Sequence, residues 1–312
     1  MHNNQPVTLL FDNNVYLPMQ QSTAKSRFGI QGHYLQSLSN YYSPFFGLGN
    51  AKSETSKLYI DVVNQAQDFF AQHDRIDMLP MYAEQAKHWQ KAFAQIGFKG
   101  FIYQQSVNWY QDNIDSVEHY WSLRPSRLRN TLKRKRDKLA RDSRYRIELV
   151  EPKSKAELKQ YLIDYHHVYF DSWKRVEPVP AFIDAIAFYS WQLNELRLGL
   201  LYHGNNPVAA QIWFVNGDTA YIYKLAHRKS YTEQSVGTVL TAAMFEHVIE
   251  QDKVTCVDFL TGDDNYKKDW MKKSRPLYGI QLCNTRTLAG WVDIIRNQIS
   301  GLRKKIKKAS AK

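Results

Sequence analysis

Residues 221–270 read YIYKLAHRKSYTEQSVGTVLTAAMFEHVIEQDKVTCVDFLTGDDNYKKDW. Tyr221–Ala226 alternates apolar and polar side chains, the period of a half-buried strand. Polar residues follow from His227 and close on Gln234-Ser235-Val236-Gly237. Val239, Leu240, Ala243, Met244 and Val248 then share one face of a helix reaching about Glu250. Val254–Phe259 is a second short strand, and a compact polar motif, Asp258 to Trp270, leaves its end. Strand, turn, helix and strand in that order make an α/β unit. The first N–H groups of such a helix have no intrahelical acceptor, and its dipole favours negative charge there. Gly237 lets a phosphate approach the backbone without meeting a Cβ. An ordinary helix start that needed a small residue has the same spacing, so spacing alone leaves both readings open.

The pattern Gln234-x-x-Gly237-x-Val239 resembles the Q/R-x-x-G-x-G/A signature of GNAT acyltransferases, whose strand–loop–helix holds the pyrophosphate of coenzyme A. Asp258-Phe259-Leu260-x-Gly262-Asp263-x-x-Tyr266-Lys267-x-x-Trp270 resembles the closing motif of the CelD-like, cellulose-biosynthesis type branch of that superfamily, which is related to Fem-type aminoacyltransferases. The similarity covers roughly residues 120–291 and more loosely the first hundred. It departs at Val239, where the signature has Gly or Ala, so close pyrophosphate contact is not expected there. The resemblance implies a mixed-sheet α/β (α+β) GNAT-like fold in two lobes joined by a long basic helix. It also implies an acyl donor lying between the splayed strands Thr219–Ala226 and Val254–Phe259.

The chain has 312 residues, 44% of them apolar, enough for one large domain or two lobes. Its apolar runs fall short of the ~20 residues a spanning helix needs, and Met1–Pro6 has no signal-peptide pattern. Cys256 and Cys283 read as buried thiols of a cytoplasmic protein rather than a disulfide or metal pair. The formal charge of +12 is uneven. Residues 124–146 hold eleven Lys/Arg and two Asp, residues 302–312 hold six Lys/Arg, and the remainder is close to neutral.

Taken from the N-terminus, Val7–Tyr16 and Phe28–Tyr34 read as strands. An aromatic run, Leu38–Phe46, could line a substrate cleft through Tyr42 or form core. Ser53–His73 and Ala83–Ile96 read as helices, with Gly97 ending the second. Arg75–Pro80 and Phe98–Trp109 read as strands. Asp115–Asp142 is helical, with a thin stripe of Leu128, Leu132 and Leu139 among basic residues including Arg134. Pro125 marks a start, and Ser122 is a candidate cap. This helix reads as a solvated connector, an anionic-substrate face, or a nucleic-acid face, with no DNA-binding motif in support. Tyr145–Val150, Arg197–Tyr202, Pro207–Phe214 and Leu277–Asn284 read as further strands, and Ser154 caps a helix running to Trp173. His166 and His167, adjacent on that helix, cannot both reach one metal, and no metal is expected. Trp291, Ile294, Ile295, Ile299, Leu302 and Ile306 make an amphipathic basic tail. It either docks on its own domain or lies on an anionic membrane.

The boundaries this implies are an N-terminal lobe, 1–115, a connecting helix, 116–143, an acyltransferase lobe, 144–290, and the tail, 291–312. Acyl transfer from a thioester needs an oriented acceptor, a proton acceptor and oxyanion donors. Backbone amides at Lys224, Leu225 and Ala226 are candidate oxyanion donors. Gln234, Ser235, Val236, Gly237 and Thr238 are candidate cofactor contacts. By resemblance, Lys267 contacts substrate phosphate or the transition-state oxygen, Asp258 orients it or acts as base, and Tyr266 donates to the leaving thiolate. Arg134, Tyr42 and Trp173 are candidate acceptor contacts. The expected activity is transfer from acetyl-CoA, or another acyl-CoA, to an amino sugar or lipid-linked saccharide precursor, in the cytoplasm or at a membrane surface. An aminoacyl-tRNA donor and a non-catalytic binding module are the alternatives.

Overall fold

A computed structural model describes residues 4–25 and 31–309, with side chains as far as Gly301. The start of the expected Phe28–Tyr34 strand and the side chains of the basic tail from Leu302 lie outside the described residues. In chain order the elements are β1 (Gln5–Leu10), β2 (Tyr16–Lys25), β3 (Gln31–Ser37), α1 (Ser56–Gln65), α2 (Gln67–Ala71), β4 (Arg75–Met81), α3 (Ala83–Gln95) and β5 (Phe98–Gln111). There follow α4 (Val117–Ser122), α5 (Ser126–Ala140), β6 (Tyr145–Val150), α6 (Lys155–Phe170), α7 (Pro180–Gln192), β7 (Leu196–His203), β8 (Asn206–Asn216) and β9 (Thr219–His227). The chain ends with α8 (Val236–Glu250), β10 (Cys256–Thr261), α9 (Lys267–Trp270), β11 (Lys273–Asn284) and α10 (Leu288–Ala309). This is a mixed α/β, GNAT-like fold.

Two compact units divide the chain: Met1–Val107 with Arg275–Lys312, and Asn108–Ser274. In the first unit the strand order is β1-β2-β3-β4-β11-β5. β3 and β4 are parallel and the pairs β1/β2, β2/β3 and β4/β11 are antiparallel. Its core joins Leu17, Met19 and Leu35 to Tyr59, Phe70, Trp89 and Phe93 from the helices. Gly97, at φ 88, lets α3 end and β5 begin at once.

The second unit runs β5-β10-β9-β8-β7-β6. β6 to β9 form an antiparallel meander. α8 then crosses over so that β10 returns parallel to β9, as a parallel pair requires. β8 is buried from Pro207 to Trp213; α6 and α8 pack against it and cover both of its faces. Ser154 caps α6 by accepting from the Glu157 N–H at 3.2 Å, worth about 1 kcal/mol. The centre of the core is an aromatic stack. The Tyr120 ring lies 4.7 Å from Phe245, and Trp270 lies 5.3 Å from the same ring.

The structure redraws the sequence-based boundaries in two places. The basic helix is not a solvated connector at 116–143. Pro125 breaks it into α4 and α5, and Leu128, Leu132 and Leu139 are buried in the core of the second unit. The Arg136 guanidinium also holds both carboxylate oxygens of Glu246 on α8, at 2.9 and 2.7 Å. Ser122, expected as a cap of the second helix, instead closes the first by donating to the His119 carbonyl. The other change is at β11. From Arg275 onward it belongs to the first unit, where its register is antiparallel to β4, so 144–290 is not one lobe.

Candidate active site

β9 and β10 open the site. They pair only at Thr219–Tyr221 against Cys256–Asp258, and β9 runs on to His227 without β10 beside it. The Arg228 N–H donates to the Val208 carbonyl on β8. Antiparallel alternation back along β9 gives the Ala226 and Lys224 N–H groups to β8 and turns the Leu225 and His227 N–H groups toward the open edge. Of the three amides expected as oxyanion donors, Leu225 therefore faces the opening, whereas Lys224 and Ala226 serve the ladder.

A bulge makes β10 leave. The register with β5 shifts between Asp258 and Thr261, and Leu260 sits at φ 56. Buried Asp258 holds that kink: Oδ1 accepts from the Leu260 N–H and from Asn108 Nδ2, both at 2.6 Å. Asn108 in turn donates to the Leu260 carbonyl at 2.8 Å. The loop beyond closes on Lys267. Its buried ammonium donates to the carbonyls of Thr261 and Gly262 at 3.1 Å each and of Phe259 at 3.4 Å. Asp264 lies 3.5 Å away. Burial lowers the Lys267 pKa, and Asp264 opposes that shift. Gly262, at φ 119, takes a left-handed turn, and a Cβ there would lie 3.1 Å from Lys267 Nζ. Tyr266, 43% exposed, sits edge-on to Phe259. Burial, then Asp264, raises its hydroxyl pKa.

A second group faces this loop from the segment joining α6 to α7. Lys224 Nζ, buried on β9, pairs with buried Glu177 at 3.2 Å. Lys174 is half-buried, and its ammonium makes no hydrogen bond or ion pair among the described residues. Loss of water, then the charges of Lys224 and Lys267, lower its pKa to about 8, against the pull of Asp264 and Glu177. Trp173, half exposed, lies 4.3 Å from the His227 ring. Burial and the Lys174 charge lower the His227 pKa. Lys174, Glu177 and His227 were not singled out from the sequence. No spacing joins residues 174, 224, 227 and 267; α6 packs against β9, which carries 224 and 227, and the α8 crossover brings the chain back to 267.

The start of α8 opens onto the same strand end. Ser235 is its N-cap, at φ 58, and no side chain caps the helix. A Cβ on Gly237 would lie 2.9 Å from His227 Nδ1, so glycine is what lets the helix start lie against that ring. Gln234 has a buried side-chain oxygen without a partner, Val236 is buried, and Thr238 is half-buried. Val239 packs in the core, so the Gly or Ala of the family signature is replaced at a position that faces inward.

The remaining expected contacts lie elsewhere. Arg134 is exposed on α5, beside Lys133, Lys138 and Arg141. Tyr42 is buried in the first unit, edge-on to Tyr41. Among the described residues no His, Cys, Asp or Glu group is placed to hold a metal ion, and no helix is long and apolar enough to cross a membrane.

A family model described as acetyltransferase (GNAT) domain matches residues 126–268. No curated protein sequence matches it. Among solved structures, the C-terminal domain of a protein assigned as a lysylphosphatidylglycerol synthetase, from Agrobacterium fabrum, is similar with a TM-score of 0.58 at 14% identity, over 93% of this chain and 87% of that one. FemX is similar with a TM-score of 0.54 at 10% identity, over 90% and 88%. L-PGS from Bacillus licheniformis reaches 0.50 at 10% identity, over 95% and 89%. At such identities the likeness is one of fold alone.

Proposed function

We propose that this chain is an acyltransferase of the GNAT superfamily, acting where β9 and β10 separate. The observation that carries the reading is Lys174: a half-buried amine of lowered pKa, without a hydrogen-bonding partner, beside an uncapped helix start and an open strand edge. The donor is acetyl-CoA or another acyl-CoA, its pyrophosphate against the first amides of α8 at Ser235–Thr238 and its thioester carbonyl hydrogen-bonded to the Leu225 N–H.

In the reaction the acceptor amine or hydroxyl attacks the thioester carbon. Neutral Lys174 takes the acceptor proton, the C–S bond breaks, and the leaving thiolate takes a proton from solvent. Its neighbours hold Lys174 partly neutral near neutral pH, which is what a general base needs. Lys267 and Asp258 act by position, through the bonds that fix the β10 exit, and the catalytic roles expected for them pass to Lys174 and the Leu225 amide. Tyr266 is 43% exposed at the rim, where its hydroxyl meets the departing sulfur. Trp173 offers a ring face beside the Lys174 ammonium. This suits a sugar ring with an anionic link, and so a lipid-linked saccharide acceptor, amino sugars among them.

One observation favours a second donor. Arg127, Arg129, Lys133, Arg134, Lys138 and Arg141 are exposed along α5, a face that fits the phosphates of an aminoacyl-tRNA. Calorimetric titration separates the readings. Micromolar binding of acetyl-CoA, lost in Gly237→Val, supports the first. Strongly salt-dependent binding of aminoacyl-tRNA without acetyl-CoA binding supports the second. Neither ligand binding would leave a GNAT-like module without this chemistry.

A further inference from the structure

α10 is a surface helix turned the wrong way round for a globular protein. Such a helix normally lays its apolar stripe on the core. Here the side toward the first unit is mostly polar. Asp293 is buried and holds Arg75 at 3.0 Å, Asn297 donates to Gln281, and Ile294 is the one large apolar side chain fully buried among the described residues of the helix. Gly290 is what allows the close fit, since a Cβ there would collide with the Asn284 carbonyl.

The apolar stripe points away from that contact. Leu288 is 80% exposed, Trp291 49%, Ile295 52% and Ile299 46%. At about 100° per residue these four fall within roughly 80° of one another and on the side opposite Gly290, Asp293 and Asn297, with Ile294 at the flank. The same three-to-four spacing continues in the sequence at Leu302 and Ile306. From Ile294 to Lys312 the sequence holds seven Lys/Arg and no Asp or Glu.

We infer that α10 is a docking helix for an anionic lipid bilayer, lying in the plane of the headgroups with Leu288, Trp291, Ile295 and Ile299 inserted. The positive charge of residues 294–312 selects this occupant. A second copy of the chain would bring two segments of the same positive sign together, and a nucleic acid offers phosphates but no apolar phase for the stripe. Anionic headgroups over acyl chains match both halves of the helix. The helix stays tied to its own unit through Asp293 and Asn297, so docking needs no rearrangement.

The test is flotation of the full chain with vesicles of phosphatidylcholine alone and with one-third phosphatidylglycerol. Binding is expected to the anionic vesicles and to weaken at high salt. Ile295→Glu and Ile299→Glu alter exposed positions only, keep the circular dichroism spectrum, and are expected to reduce bound protein about ten-fold or more. Equal binding to neutral vesicles, undiminished binding of both variants, or a dimer in the absence of vesicles that these substitutions dissociate would each overturn the assignment. None of these readouts depends on acyl transfer.

Discussion

The sharpest expectation concerns Lys174. Its pKa is lowered from 10.5 to about 8. At pH 7 an amine of pKa 8 is neutral in about one molecule in ten, against about one in 3000 at 10.5, so the surroundings raise the concentration of working base about 300-fold. The rate of acyl transfer is therefore expected to climb with pH and level off just above 8. Lys174→Met removes both the base and that limb, with a loss of about 10²–10⁴ in kcat. Asp264 raises the Lys174 pKa from an exposed position, so Asp264→Asn should move the limb to lower pH without abolishing it. The assay is a kcat/KM profile from pH 6 to 10 with thiol release as readout. A Lys174→Met enzyme that keeps the same limb, or an Asp264→Asn limb that stays put, refutes the assignment of the base. Stability carries the same signature. The folded pKa lies below its ordinary value, so the folded chain binds fewer protons than the unfolded one between about 8 and 10.5. Urea stability should rise through that window and lose the rise in Lys174→Met.

Three further outcomes follow from the site. Lys267→Met leaves the carbonyls of Phe259, Thr261 and Gly262 without their shared donor, at an expected cost of about 2–4 kcal/mol in urea unfolding; an unchanged midpoint would show that the loop does not depend on it. Asp258→Asn keeps the oxygen that accepts from Leu260 and Asn108, so a positional role predicts activity within about ten-fold of the parent, whereas a base would lose 10²–10⁴. Gly237→Val drives a side chain into His227 at 2.9 Å; coenzyme A affinity should fall sharply in calorimetry while urea stability drops less than for Lys267→Met, and full affinity would sink the placement of the pyrophosphate.

Much of the second unit was legible in the chain. The alternation of β9 and the helical stripe of α8 have local causes, and each lies close to its expected bounds. β2 was not legible because only Leu17 and Met19 of its side chains are fully buried, so its second half carries no apolar period. The reading of α5 as a connector failed for a related reason. Three leucines among the seven basic residues of α5 look solvated until α8 is known to cover them.

The sequence by itself determined the α/β class, the helix entered through Gly237 and the polar motif ending at Trp270, because each rests on a period of a few residues or on a backbone freedom only glycine supplies. Tertiary structure alone decided what the charged residues of that motif bond to. Asp258 and Lys267 read as catalysts in a line of text. Once the bulge at Leu260 folds back, the Asp258 oxygen accepts from the Leu260 N–H and the Lys267 nitrogen donates to the carbonyls of Phe259, Thr261 and Gly262. Lys174 has no motif at all, and its lowered pKa comes from losing water and from two other lysines, one on β9 and one beyond the α8 crossover.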